Sequence, residues 1–497
     1  MSAHNETLPE PRIPEGSAWA GAWKKAAIVA VVGLILTVVG AMGAHDEGRR
    51  FAYSYIFGYF TIAMIALGAL FFVLIQRLTS ANWSVTVRRT AEFMASGLPV
   101  IAVLALPILF NVKHYEWHDI VADKPAAHAS MLNVGAANAQ EAAHAEHGAA
   151  PAGHGEHDEH APPGHDAPKH GMPAHAGAAH GPMGHGAAHD GGHGSAHAGE
   201  HAAHDPNHVA HLDTLAKKSG WFNLNFFYIR AALYLLAWAW LGMRFFKFSV
   251  AQDKDKDVAW TLRAAGAAPT SMMFFALSVT FAAFDWVMAL EPSWFSTIYG
   301  IIVFSTGVVS SLSAIILITM SLRDAGYLKG FVNVEHYHDL GKLLFGFIVF
   351  WAYVSFSQFM LIWYAGLPEE VTYYHLRWDS SGEATAGAGP WSAVSVFLLF
   401  GHFVIPFFLL LSRNTKRKLG SLKLAAIWIL VMHVVDWYWF VLPNFKHYAV
   451  ELSLVDVGAP LLVGGVYFAY VLHQMTKHSL IPTGDPRLQR SIHFHNL

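Results

Sequence analysis

The chain has 497 residues, of which 54% are hydrophobic and only 13% are charged, about half the charged fraction of an ordinary soluble domain. It contains no Cys, which excludes disulfides, thiolate zinc sites, Fe–S ligation and covalent attachment of haem c. The formal net charge of −3 gives no basis for a nucleic-acid partner. The composition indicates a protein of the lipid bilayer, with an unexplained excess of 32 His.

Apolar stretches long enough to cross a bilayer recur along the chain, each close to the roughly 20 residues that one transmembrane helix needs. We predict an all-α, polytopic membrane protein with ten transmembrane helices, at about residues 24–43, 54–75, 93–110, 222–243, 271–290, 296–320, 341–364, 391–411, 422–442 and 453–475. The predicted organisation is a tail at 1–23, spans one to three within 24–125, an insert at 126–211, spans four to ten within 212–475 and a tail at 476–497.

The distribution of Lys and Arg near the span ends predicts the orientation, because these residues concentrate in cytoplasmic loops. With both termini on one side, that side holds twenty-two Lys and Arg. The short loops of the other side carry only four, which are Arg49, Arg50, Arg377 and Lys446. This asymmetry predicts that both termini are cytoplasmic.

The segment 126–211 between the third and fourth predicted spans contains 18 of the 32 His, with Ala, Gly and Pro filling most of the rest. It has too few apolar side chains to offset the entropy of ordering, so we expect a disordered insert on the outer, periplasm-like side. Its imidazoles, such as His154, His157 and His160, are weak candidates for binding Zn²⁺, Cu²⁺ or Ni²⁺. Proton buffering and an inert spacer remain alternatives, and no metal site is assigned.

Ionisable residues within the spans carry most of the functional information, because charge inside a bilayer is costly. His433 and Asp436 share a helix face at a spacing of three, and His402 falls at a similar depth in the preceding helix. Arg230 is expected to extend its head group to the outer surface. Each intramembrane carboxylate also has a structural interpretation as a buried hydrogen bond or ion pair. The candidates for a proton path are Asp285, Glu291, His402, His433, Asp436 and Asp456.

Three classes of protein would use such residues. A b-type cytochrome needs paired axial His on facing helices, and His402 and His433 could form one pair, with Gly401 leaving room for a porphyrin edge. A divalent-metal transporter would explain the His-rich loop, but the intramembrane ligand pairs of known carriers are missing from the sequence. A membrane scaffold with a carboxylate and His proton path needs no redox cofactor of its own. We favour this third class, with no catalytic and no cofactor-binding residue assigned.

Three stretches carry a family resemblance. FDWVMALEPSWFSTIYG (284–300), ALGALFFVLIQRLTSANWSVTVRRTAEFM (66–94) and YVSFSQFMLIWYAGLPEEVTYY (353–374) resemble membrane subunits of alternative complex III, the bacterial quinol:electron-acceptor oxidoreductase. The chain looks most like its F subunit, which is related to the polysulfide-reductase-like, NrfD-type proteins. The His-rich insert departs from the family, where this connection is short.

The resemblance implies two four-helix bundles, formed by spans two to five and six to nine and flanked by spans one and ten. It implies a place in the bacterial inner membrane beside an NrfD-like C subunit, a multihaem cytochrome c and an Fe–S subunit. Haem c and Fe–S clusters would belong to those partners, with quinone nearby. The six polar candidates match polar positions of the family, where this subunit is associated with a proton half-channel.

Overall fold

The structure, a computed structural model, describes residues 11–43, 46, 48–115, 118, 218, 220–379, 387–445 and 449–495. All of them belong to one compact unit of the chain, Met1–Ala122 with Asp213–Leu497. The predicted insert at 126–211, including His154, His157 and His160, lies outside the described residues.

Ten segments among the described residues are helical and are long and apolar enough to cross a membrane. We call them spans 1 to 10, and their bounds are Ala22–Met42, Arg49–Leu78, Val85–Phe110, Leu224–Asp255, Ala259–Leu290, Tyr299–Asp324, Val334–Ala365, Pro390–Leu411, Leu419–Asn444 and Leu454–Lys477. Each overlaps one predicted span, and no strand occurs in the described part of the chain. The prediction of an all-α, polytopic membrane protein is confirmed.

Four spans are built from more than one helical segment. Span 3 consists of Val85–Ala95, Leu98–Leu104 and Leu106–Phe110, and its last two segments each have Pro at the second position, where a missing N–H is tolerated. Spans 5 and 9 end in the 3₁₀ turns Met288–Leu290 and Leu442–Asn444. Span 8 consists of Pro390–Leu398, the π-helical turn Leu399–Val404 and Ile405–Leu411. Short helices outside the spans are Val112–His114, Pro368–His375, Arg413–Arg417 and Leu488–Ile492.

The spans pack as two four-membered rings. Spans 2, 3, 4 and 5 contact one another in that order and close through contacts between spans 5 and 2. Spans 6, 7, 8 and 9 form the second ring in the same way, and the rings meet where span 6 contacts spans 2 and 5 and where span 9 contacts span 2. Span 10 packs on spans 2 and 3 and holds span 1 at the edge. This arrangement agrees with the expected two bundles and two flanking helices.

Small residues allow span 1 to lie directly against span 10. A Cβ added to Gly458 would lie 2.6 Å from Thr37 Oγ1, and one added to Gly465 would lie 2.6 Å from Ala30 Cα. Without a hydrophobic driving force inside lipid, close backbone packing of this kind is what holds neighbouring helices together. Glycine is therefore required at these two positions.

Several spans extend further than their apolar sequences predict. Span 3 begins at Val85 instead of 93, span 4 ends at Asp255 instead of 243, and span 5 begins at Ala259 instead of 271. In span 3 the two added turns contain Arg88 and Glu92, both fully buried and joined by a 3.0 Å ion pair. The helix continues through charged residues because those charges are paired inside the fold.

The C-terminal segment supplies one of those paired charges. Asp485 accepts a 2.7 Å hydrogen bond from Arg88 and lies 3.8 Å from Arg77 of span 2. Burial alone would raise the pKa of Asp485, but a hydrogen bond from Arg487 and the charges of Arg88 and Arg487 hold it well below its usual range. Further along, Asn333 at the start of span 7 donates to the carbonyl of Phe494. The segment therefore joins spans 2 and 3 of the first bundle to the start of span 7 in the second bundle.

Candidate functional site

Three spans of the second bundle bring an aspartate and a histidine together in its interior. Asp436 of span 9 is 1% exposed and His402 of span 8 is fully buried, with 3.9 Å between Asp436 Oδ2 and His402 Nδ1. Trp351 of span 7 donates from Nε1 to Asp436 Oδ2 at 3.2 Å. Its ring also stacks on the imidazole of His402, with centroids 4.0 Å apart and an angle of 11°. Trp351 therefore fixes the positions of both groups.

His433 lies one helical turn from Asp436 and connects the cluster to the first bundle. Its Nε2 is 2.9 Å from the carbonyl oxygen of Thr61 on span 2. A carbonyl only accepts, so Nε2 carries the proton and Nδ1 keeps its lone pair when the ring is neutral. Among the described residues, no group hydrogen-bonds to that Nδ1, which leaves it available to accept a proton.

A widened helical turn positions His402. Pro406 has no backbone N–H. The N–H of Ile405, just before it, donates to the carbonyl of Phe400, five residues back, and this bond closes the π turn Leu399–Val404. The carbonyl of Gly401 therefore loses its helical donor, and Trp428 Nε1 of span 9 donates to it at 2.7 Å. The turn is thus compensated from the neighbouring span, and it places His402 in the bundle interior.

The cluster contains more hydrogen-bonding capacity than the described side chains satisfy. Asp436 Oδ1 and both ring nitrogens of His402 have no hydrogen-bond partner among the described residues. Within that part of the chain, His402 is also the one basic group at salt-bridge distance from Asp436. Buried polar atoms normally have a protein or water partner. The site is therefore suited to binding a proton or an ordered water molecule.

Asp285 has a different environment, because it is fully paired inside the first bundle. Arg230 donates to both carboxylate oxygens at 2.7 and 2.9 Å. Trp221 Nε1 donates to Oδ1 at 2.6 Å and the Tyr234 hydroxyl to Oδ2 at 2.9 Å. The expectation that Arg230 extends to the outer surface is wrong: its side chain is buried, because Asp285 attracts it into the bundle.

The remaining two candidates have structural contacts. Asp456 pairs with Arg50 of span 2 and accepts a 2.8 Å hydrogen bond from the backbone N–H of Ser453, which caps span 10. Glu291 is half-buried after the end of span 5 and accepts a 2.7 Å hydrogen bond from the Ser293 hydroxyl. The described hydrogen bonds join neither of them to the Asp436 cluster. Of the six predicted path residues, the structure brings together Asp436, His402 and His433.

The geometry does not fit a haem between the two histidines. His433 Nε2 already bonds to a backbone carbonyl, and Trp351 covers one face of the His402 ring. The space expected beside Gly401 for a porphyrin edge is filled by Met432, whose Sδ lies against the glycine. Among the described residues, no group of three or more His, Cys, Asp or Glu side chains is arranged to hold a metal ion.

Two residues at the end of the second bundle opposite the chain termini were not anticipated from the sequence. The short helix Pro368–His375, predicted as part of a loop, buries Tyr373. The guanidinium of Arg377 lies 3.5 Å from the Tyr373 ring centroid and donates to the carbonyl of Phe440, one helical turn beyond Asp436. Burial raises the pKa of Tyr373 to about 12, so its hydroxyl keeps its proton at neutral pH. A loop arginine gives no sequence signal for burial.

The sequence matches no model of a known protein family, and no curated protein matches it either.

Proposed function

We propose that this chain is an integral subunit of a bacterial respiratory quinol:electron-acceptor oxidoreductase of the alternative complex III type, equivalent to its F subunit. In this proposal it resides in the inner membrane with both termini cytoplasmic. It has no redox cofactor of its own, while haem c and Fe–S clusters belong to partner subunits. Its contribution is structural, and it also provides a site that binds a proton inside the second bundle.

The observation that carries the proposal is the cluster of Asp436, His402 and His433. An ionised carboxylate without a cationic partner is expensive inside a membrane protein, so Asp436 is suited to bind and release a proton. Asp285 and Asp456, in contrast, each have an arginine partner. The two-bundle arrangement with flanking spans 1 and 10 supports the same assignment, because the sequence resemblance implies that fold.

The chemistry at the cluster requires only proton transfer between neighbouring groups. Asp436 takes up a proton at Oδ1, the oxygen that Trp351 does not contact. Exchange of this proton with the ring nitrogens of His402 requires a bridging water, because even Oδ2 of Asp436 lies 3.9 Å from His402 Nδ1, beyond hydrogen-bond distance. His433, held by Thr61, offers its Nδ1 as the next acceptor. Trp351 acts as a positioning residue for both groups.

The proposal is tested by isolating the full chain, with an affinity tag at its C-terminus, from the membranes of its own cells. The expected result is co-purification of a multihaem cytochrome c and an Fe–S protein, shown by visible spectra and peptide mass spectrometry. A b-type haem spectrum on the isolated chain would overturn the assignment. So would recovery of the chain alone from membranes in which the intact complex is demonstrably present.

A further inference from the structure

A groove between spans 4 and 10 combines an apolar wall with a basic rim. Met243, Phe246 and Val250 of span 4 line its wall, while Lys247 and Lys254 stand along its edge. These positions recur every three or four residues, so they form one stripe on the helix surface. The groove lies near the end of span 4 at Asp255, on the side of the protein that carries the C-terminal segment.

The rim carries a net positive charge, because its two lysines outnumber the one carboxylate that borders the groove. Neither Lys247 nor Lys254 has a carboxylate at salt-bridge distance among the described side chains. Asp255, which also borders the groove, accepts a 2.8 Å hydrogen bond from Trp260. Asp253 on the same turn is paired with Arg89 at 2.7 Å. Asp253 is therefore neutralised by Arg89, whereas Asp255 keeps its charge at the edge of the groove.

His478 completes the rim from the end of span 10. Its ring and the ring of Phe246 pack edge to face, with centroids 5.4 Å apart. Burial, together with the charges of Arg89 and Lys477, lowers the pKa of His478. The neutral ring offers one N–H donor without adding a third charge.

We propose that this groove binds an anionic phospholipid from the leaflet on the side of the termini. Lys247 and Lys254 contact the phosphate, His478 donates a hydrogen bond to it, and an acyl chain lies along Met243 of the apolar wall. A lipid fits better than a soluble anion because the apolar wall continues from the basic rim toward the hydrocarbon. Basic grooves between helices at this depth recognise phosphate head groups. The proposal does not depend on the respiratory function.

The test uses the purified full-length protein with phosphatidylglycerol in mixed micelles, measured by native mass spectrometry. Since each lysine near a membrane surface contributes about a five-fold gain in affinity for anionic lipid, Lys247→Gln with Lys254→Gln should weaken binding on the order of 30-fold. The matched control is Lys256→Gln with Lys329→Gln, which removes the same charge from exposed turns outside the groove. This control should retain nearly full affinity.

Three outcomes would overturn the proposal. Equal losses in the groove and control variants would mean that net charge, not the groove, attracts the lipid. Equal binding of phosphatidylcholine, whose head group has no net charge, would show that the anionic charge of the lipid is not recognised. Displacement of the lipid by an equal concentration of inorganic phosphate would show that the apolar wall adds no affinity.

Discussion

The ion pair between Arg230 and Asp285 gives the sharpest prediction about stability. Replacing Arg230 by Met keeps much of the side-chain volume but removes hydrogen bonds of 2.7 and 2.9 Å to a buried carboxylate. Each hydrogen bond to a charged group is worth about 1.5–3 kcal/mol, and breaking a buried pair costs roughly 3–5 kcal/mol. We therefore expect a loss of about 4 kcal/mol from the free energy of unfolding.

The measurement is thermal unfolding in detergent, followed by intrinsic Trp fluorescence. At roughly 1 °C per kcal/mol for a chain of this length, the apparent Tm of the Arg230→Met protein should fall by about 5 °C. Arg244→Met in the same span is the matched control, because Arg244 is half-exposed and lies over the Trp240 ring. We expect that variant to lose no more than about 1 kcal/mol.

A second substitution tests whether the cost arises from the unpaired charge. Asp285→Asn, added to Arg230→Met, removes the buried charge while its amide oxygen still accepts from Trp221 or Tyr234. The double variant should recover about 2 kcal/mol relative to Arg230→Met alone. Additive losses in the double variant, or equal Tm values for the Arg230 and Arg244 variants, would refute the reasoning.

Three further predictions concern the packing of the bundles. Ionised Asp485 stabilises the fold fully above its unfolded-state pKa of roughly 4, and this stabilisation is lost as the pH falls below that value. Asp485→Asn should therefore lower the apparent Tm at pH 7 and make the Tm decrease less steeply as the pH is lowered. Gly458→Val should force span 1 away from span 10 and lower the free energy of unfolding by about 1–3 kcal/mol. Thermal unfolding measures this loss, and an unchanged Tm would contradict the close packing. Trp428→Phe should leave the Gly401 carbonyl unpaired, and an unchanged hydrogen-exchange rate in the π turn would contradict that role.

The sequence was sufficient to predict the ten spans, because helix length and hydropathy are local properties. The predicted bounds of the spans were less accurate where the helices continue through charged residues. Arg88 and Glu92 reduce the hydropathy of the first turns of span 3, yet they are buried because Asp485 and Arg77 neutralise them. The four-residue spacing of Arg88 and Glu92 was a usable signal for a longer helix, whereas their partner nearly 400 residues later was not.

The candidate site was predictable to the same limited degree. The spacing of His433 and Asp436 gave a shared helix face, and the depth of His402 suggested proximity. Nothing local indicated that Trp351 would bridge Asp436 and His402, since a Trp in an apolar span is usually a lipid or core contact. The pairing of Asp285 with Arg230 also depends on contacts between two different spans. Only the tertiary contacts therefore distinguish Asp436, which has no cationic partner among the described residues, from Asp285, which is paired with Arg230.

Asp436→Asn in the proposed respiratory complex, purified and reconstituted into liposomes, tests the proposed proton-binding role of this chain most directly. The substitution keeps the side-chain size and an acceptor for Trp351 but removes the titrating group. We predict that generation of membrane potential per quinol oxidised falls several-fold while the complex remains assembled. Glu291→Gln, at a hydrogen-bonded position after the end of span 5, should leave it unchanged. An unaltered membrane potential and quinol oxidation rate in the Asp436→Asn complex would contradict the proposed role.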